Sequence, residues 1–185
     1  MDMVTQKKHS YAQRGSKNIN GVGNYQLSVQ APAAGPWGNA SDQVFHMYFL
    51  DSGAYPSVTE YLSDDSKYDW IRPNQVEFYR SQSLANQQDR ATPLPALMFF
   101  HIPLQEHNYT ASDVANVKGA KNEAVSSSAV HSEMFSALVA RNEVKAVFVG
   151  HDHVNDVDRD NKRSIKSWKR LFGSTGATCC QETLF

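Results

Sequence analysis

Three histidines in this chain are placed where they could act together. His151 and His153 stand one residue apart, directly after the run Val144-Lys-Ala-Val-Phe-Val-Gly150. His101 follows a second apolar run, Pro95-Ala-Leu-Met-Phe-Phe100, and precedes Ile102-Pro103-Leu104. Neutral imidazole is the commonest protein ligand for a metal ion, and two rings close together on a rigid turn suit that use. A solvated turn carrying two incidental histidines is the competing reading of His151 and His153 taken alone.

The elements that must position them are short and apolar. A run such as Ala146 to Val149, closed by Gly150, reads as a buried strand. Glycine at its end permits a sharp turn or a close approach by another group. Pro103 stops regular pairing just beyond the His101 run. If both strands are parallel members of one sheet, His101, His151 and His153 gather on one rim, where open α/β sheets place ligands. A helical pattern lies between the two strands. Ser126, Ser127 and Ser128 are its N-cap candidates, and Val130, Met134, Leu138 and Val139 form one apolar face. That order is β–α–β, as a parallel pair requires.

Upstream, Asn24 to Gln30 alternates polar and apolar residues, as a half-buried strand does. Residues Ala31 to Asp42 read as a loop, and Val44 to Leu50 as the next strand. Asp51 ends that strand within Asp-Ser-Gly. It is either a site residue or turn chemistry, and the turn is the simpler account. A helix is expected from about Pro73 to Leu84, with Trp70, Ile71, Val76 and Tyr79 as its buried stripe. The stretch from Gln105 to Ala124 is polar and aperiodic. As a loop near a site mouth it would let His107 or Glu106 reach a substrate, and as a plain exposed loop it would not. His131 is expected to be structural or on the surface.

Composition narrows the classes. The 185 residues are 41% hydrophobic and 20% charged, as in one ordinary globular domain. A net charge of −1 supplies no basic field for nucleic acid or for a membrane surface. No apolar run reaches the ~20 residues of a membrane span, and the first residues lack the apolar stretch of a secretory signal; the compartment stays open. The two cysteines, Cys179 and Cys180, are adjacent and make no disulfide framework. Asn39-Ala40-Ser41 and Asn108-Tyr109-Thr110 fit the glycosylation tripeptide, a pattern that also arises by chance.

Phe99-Phe100-His101-Ile102-Pro103-Leu104 and Gly150-His151-Asp152-His153 resemble the last two metal-binding motifs of the calcineurin-like metallophosphoesterases. The similarity is greater to the purple-acid-phosphatase-like branch. Gly21-Val22-Gly23-Asn24-Tyr25, Tyr48-Phe49-Leu50-Asp51-Ser52-Gly53 and Tyr68-Asp69-Trp70-Ile71 with Gln75 extend it, from about Ser10 to about Asp158. The resemblance implies an α/β fold, here about the C-terminal half of a four-layer α/β/β/α sandwich. It divides the chain into an irregular segment 1–20, the C-terminal part of a phosphoesterase domain over 21–156, and a divergent basic tail, 157–185, expected to be irregular.

The resemblance also implies a reaction: hydrolysis of phosphomonoesters, phosphoproteins included, by a hydroxide activated at a pair of Fe, Mn or Zn ions. His101 and His151 resemble ligands of one ion, and His153 a ligand of the other. The family's Asp-x-His, Gly-Asp-x-x-Asp and Gly-Asn-His-Asp or Gly-Asn-His-Glu motifs do not occur in this chain. Without those carboxylates nothing bridges two ions or offsets their charge. The expectation is weak binding of one ion at most, with little or no turnover. The alternative from another class is a non-catalytic binding or regulatory fragment that self-associates through exposed sheet surface. A plain zinc module on the three histidines ranks third.

Overall fold

Strands form where apolar residues alternate and stop where Gly, Pro or Asp intervene. The computed structural model describes residues 1–56, 68–88, 90–108, 117–159 and 170–173. After a one-turn helix α1 (Asp2–Thr5), the hairpin strands β1 (Tyr25–Gln30) and β2 (Gln43–Phe49) pair antiparallel across the expected loop. Helix α2 (Pro73–Gln87) then leads to β3 (Ala96–Phe99), parallel to β2. Helix α3 (Met134–Arg141) leads to β5 (Val144–Val149), parallel to β3. The anticipated β–α–β order thus places the tips of β3 and β5 side by side.

Pairing continues past the strand ends. The Gly150 N–H donates to the His101 carbonyl at 3.0 Å, which ties the two tips together. The remaining strands are β4 (Val117–Ala120), β6 (Asp156–Arg159) and β7 (Arg170–Gly173), and the sheet order is β1-β2-β3-β5-β7-β6-β4. Strands β6 and β7 fall where an irregular tail is expected. β7 runs parallel to β5, so its backbone finds a partner although its sequence lacks a long apolar run. The rest of that tail, with Cys179 and Cys180, lies outside the described residues, as do Tyr109 and Thr110.

One face of the sheet is packed by α2 and α3. Tyr48, Met98 and Val147 point into this core, where they meet Val76 and Tyr79 of α2 and Met134, Ala137 and Leu138 of α3. Full burial of side chains of this size contributes about 1.5–3 kcal/mol each. Ile71 is buried as expected, whereas Trp70 stays half-buried with the Arg72 guanidinium 3.4 Å above its ring. Among the described residues the arrangement is α/β, with one sheet and helices α2 and α3 packed on one side.

The start of α3 differs from expectation. The cap is not within Ser126–Ser128, because that segment is engaged elsewhere. Gln105 Nε2 donates to the carbonyls of Ser128 and Ala129, and the Ser126 N–H donates to Asp152. The Ser132 hydroxyl takes the capping part by accepting from the Met134 N–H at 3.2 Å.

Candidate functional site

β3 and β5 are adjacent and parallel, so the residues just past their carboxyl ends meet. His101 Nε2 lies 3.3 Å from His151 Nδ1, with ring centroids 5.0 Å apart and planes 79° apart. His153 lines the same open cleft of about 430 Å³, together with Tyr55, Tyr68, Glu123 and Ser126. The sheet therefore collects all three predicted histidines on one rim.

The two facing nitrogens admit two readings. They can share one proton in a hydrogen bond. They can also be two ligands of one ion, because a tetrahedral ion with metal–nitrogen bonds of ~2.0–2.1 Å holds its ligand nitrogens ~3.3–3.4 Å apart. Burial, and after it the neighbouring His101, hold the His151 pKa below the ordinary imidazole value; His153 acts in the same sense, while Asp152 and Glu123 oppose it. A neutral ring is the form that binds metal. His151 also has a φ of 76°, a left-handed conformation that is uncommon outside glycine. Its ring packs edge-on against Tyr68, with centroids 4.3 Å apart.

A two-ion centre does not fit the described residues, among which no three His, Cys, Asp or Glu groups are arranged to hold a metal ion. Of the carboxylates at the cleft, Asp152 is buried and occupied. It accepts from the Ser126 N–H at 3.0 Å and from Asn155 Nδ2 at 3.2 Å. Glu123 accepts from the Val154 N–H. Asp152 and Tyr68 stand in matched motifs without being expected at the site, and Glu123 is not singled out at all. Glu123 is 28 residues from His151 and carries no local pattern that points to it, and the Tyr68-Asp69-Trp70-Ile71 motif does not by itself show that Tyr68 packs on His151.

The remaining matched motifs hold the rim in place. The buried Ser52 hydroxyl accepts from the N–H groups of His101 (3.2 Å) and Ile102 (2.8 Å). Asp51 is turn chemistry: its carboxylate accepts from Gly53 and Val22 N–H groups. A β-carbon on Gly21 would stand 2.7 Å from that of Asp51, so the close approach requires glycine there. Buried Gln75 donates to Asn24 Oδ1 (2.8 Å) and to the Asp51 carbonyl, and accepts from the Arg72 N–H at the start of α2. Asn24, Asp51 and Gln75 thus form one hydrogen-bonded cluster, and Ser52, the next residue after Asp51, carries the contact to the His101 backbone.

His107 does not line the cleft. It is buried, and its Nδ1 accepts from the Leu104 N–H at 3.1 Å, closing the 3-10 turn Gln105–His107. Glu106 Oε1 lies 2.8 Å from His131 Nε2, and His131 is on the surface. The polar composition around these residues suggests an open loop, but the turn folds the imidazole inward against Phe100.

No family model matches the chain. Curated relatives do. Three proteins of Arabidopsis thaliana match 75% of the chain: "Probable inactive purple acid phosphatase 29" at 40% identity, "Probable inactive purple acid phosphatase 14" at 32% and "Probable inactive purple acid phosphatase 28" at 35%. The matches cover 36%, 35% and 33% of those proteins, so the chain spans about a third of the length of the curated relatives it matches.

Proposed function

From a chain that is purple-acid-phosphatase-like over three quarters of its length, corresponding to the C-terminal portion of that metallophosphoesterase domain, we propose a half-site. His101 and His151 together bind one divalent ion weakly, and the chain by itself turns over little or no phosphate ester. The observation that carries this reading is the 3.3 Å approach of the two ring nitrogens at adjacent strand tips. The class of ligand it belongs to is that of phosphomonoesters and phosphoproteins, for which the family chemistry is metal-dependent hydrolysis.

A bound divalent ion would supply Lewis-acid polarisation of a phosphoryl oxygen or of water. The protein's part is to hold the two rings facing each other, with burial favouring the neutral form of His151. Ser52 and Gly150 anchor the backbone on which His101 turns, and Tyr68 packs against the side of His151. Low turnover follows from what surrounds them. The described cleft residues include no Lys or Arg, while Glu123 and Asp152 place negative charge where a phosphate dianion would approach. The relatives' names, "probable inactive", point the same way for those proteins.

The same reading turns the sheet face opposite α2 and α3 toward a second sheet, as in an α/β/β/α sandwich. The test of the half-site is zinc titration of the purified chain. We expect about one ion per chain, a loss of affinity of at least ~100-fold with His101→Ala or His151→Ala, and less than ~3-fold with His153→Ala. Zinc retained through dialysis at one per chain and dependent on all three histidines would favour a plain zinc module instead. Turnover of a chromogenic phosphate ester with added Mn²⁺, Fe²⁺ or Zn²⁺ that disappears in His151→Ala would refute the low-turnover reading.

A further inference from the structure

Asn20-Gly21 is the single Asn-Gly pair of the sequence, and it stands in the turn before β1. Both residues are exposed, and Gly21 has a φ of 83°. The groups around the pair are engaged. The Asn20 N–H donates to Asn74 Oδ1 at 3.4 Å, and the Asn20 carbonyl accepts from Asn24 Nδ2 at 2.7 Å. The Val22 N–H donates to Asp51 Oδ2 at 2.7 Å. Among the described residues nothing pairs with the Asn20 side-chain amide, and nothing accepts from the Gly21 N–H. A free carbonyl carbon and a free amide nitrogen thus stand on consecutive residues, and glycine has no side chain to shield that nitrogen.

We propose that Asn20 is a self-modifying site, which converts in water to isoaspartate and so loosens the cluster of Asn24, Asp51 and Gln75. The reaction is intramolecular and needs no partner. A base takes the Gly21 N–H proton, and the nitrogen attacks the Asn20 side-chain carbonyl carbon. A carbon–nitrogen bond forms, the bond to the side-chain nitrogen breaks, and that nitrogen takes a proton and leaves as ammonia. Water then opens the five-membered succinimide. Opening at the side-chain carbon gives aspartate, and opening at the main-chain carbon gives isoaspartate. The sum is one water consumed and one ammonia released.

In isoaspartate the chain runs through the former side chain and is one carbon longer. The oxygen that accepts from Asn24 Nδ2 leaves the main chain as part of a free carboxylate. The turn has little room to absorb the change, because a β-carbon on Gly21 would already stand 2.7 Å from Asp51 Oδ2. It also gains a negative charge beside a glycine that packs against the Asp51 carboxylate. Asn24 is 2% exposed, so an Nδ2 group that loses its acceptor stays buried and unpaired. Nothing in this depends on the histidine site.

Ageing of the purified chain in mildly alkaline buffer tests both halves. Isoaspartyl methyltransferase with labelled S-adenosylmethionine is the probe, and the label should appear on the tryptic peptide that starts at Asn18. Its rate of appearance should rise in proportion to hydroxide. Asn20→Gln, whose ring closure is six-membered and slow, should stay unlabelled. A chain unfolded in urea supplies the unconstrained rate, and the folded chain should deamidate within a few-fold of it. The isoaspartate fraction, separated by chromatography, should unfold at a urea midpoint about 0.5–1.5 M below that of fresh chain. Asn20→Asp adds the charge without the extra carbon and should lose less than half as much. Label confined to the unfolded chain, or equal label in Asn20→Gln, overturns the assignment of the site. An aged chain with the fresh midpoint, or Asn20→Asp as unstable as the aged chain, overturns the link to the cluster.

Discussion

Ser52→Ala removes one oxygen from a buried position and leaves two backbone donors facing it. The hydroxyl accepts from the His101 N–H at 3.2 Å and the Ile102 N–H at 2.8 Å, and Ser52 is 1% exposed. A buried donor left without a partner costs about 1–3 kcal/mol. Two such donors, with partial relief from a water or a small backbone shift, set the expected loss at about 2–4 kcal/mol. With a urea slope of about 2 kcal/mol/M, the unfolding midpoint should fall by about 1–2 M. The same amides fix the tip of β3, so the His101 ring should lose its fixed position as well. Zinc affinity is expected to fall by about tenfold, the scale on which groups that orient a ligand act. Paired urea titrations and zinc titrations of wild type and Ser52→Ala test both effects. A stability change under about 0.5 kcal/mol with unchanged zinc binding would refute the view that Ser52 holds the rim.

Three further outcomes follow from the same coordinates. His151→Gly and His151→Ala both delete the ring, but only glycine relaxes the left-handed backbone at φ 76°, so the glycine variant should be the more stable by about 1 kcal/mol in urea unfolding. Gly150→Ala would bring a β-carbon to 3.0 Å from His101 Nδ1, and it should weaken zinc binding while costing no more than about 1 kcal/mol of stability. Glu143 is buried, and burial raises its pKa from the ordinary 4.5, against the opposing pull of Ser83, Tyr48, Arg141 and Tyr79. The folded chain holds that proton more tightly than the unfolded chain, so its contribution is complete below about pH 4.5 and is lost as pH rises through the raised value. Glu143→Gln keeps the site neutral, and urea midpoints should therefore drop less between pH 5 and pH 8 in the variant than in wild type. Burial, and after it Arg90, lower the His46 pKa, which acts in the opposite sense but is common to both chains and cancels in the difference.

The readable part of this chain is periodic. Alternation in Asn24–Gln30 and Val44–Leu50, and the apolar runs before His101 and His151, place four strands within a residue or two. The helical stripe after Trp70 places α2, with Pro73 opening it. The β–α–β order then implies that His101 and His151 share a rim, and the adjacency of β3 and β5 puts them there. Where serines sit ahead of an apolar face, as at Ser126–Ser128, the same local logic misplaces a helix start. That segment is held by Gln105 and Asp152 through its backbone, and Ser132, whose hydroxyl also donates to the Ile71 carbonyl, stands where it can accept from the Met134 N–H.

By itself the sequence determines which residues alternate, where runs stop, and that imidazoles stand at two of those stops, because these are properties of neighbours along the chain. Only the tertiary structure decides that Ser52 reaches across 49 residues to hold His101, that Glu123 and Tyr68 flank the histidines, and that His107 turns inward. It alone stacks four aromatics from separate strands into one ladder. Such partners are chosen by strand register and chain crossing, and a hydrogen bond between distant segments leaves no periodic trace in either of them.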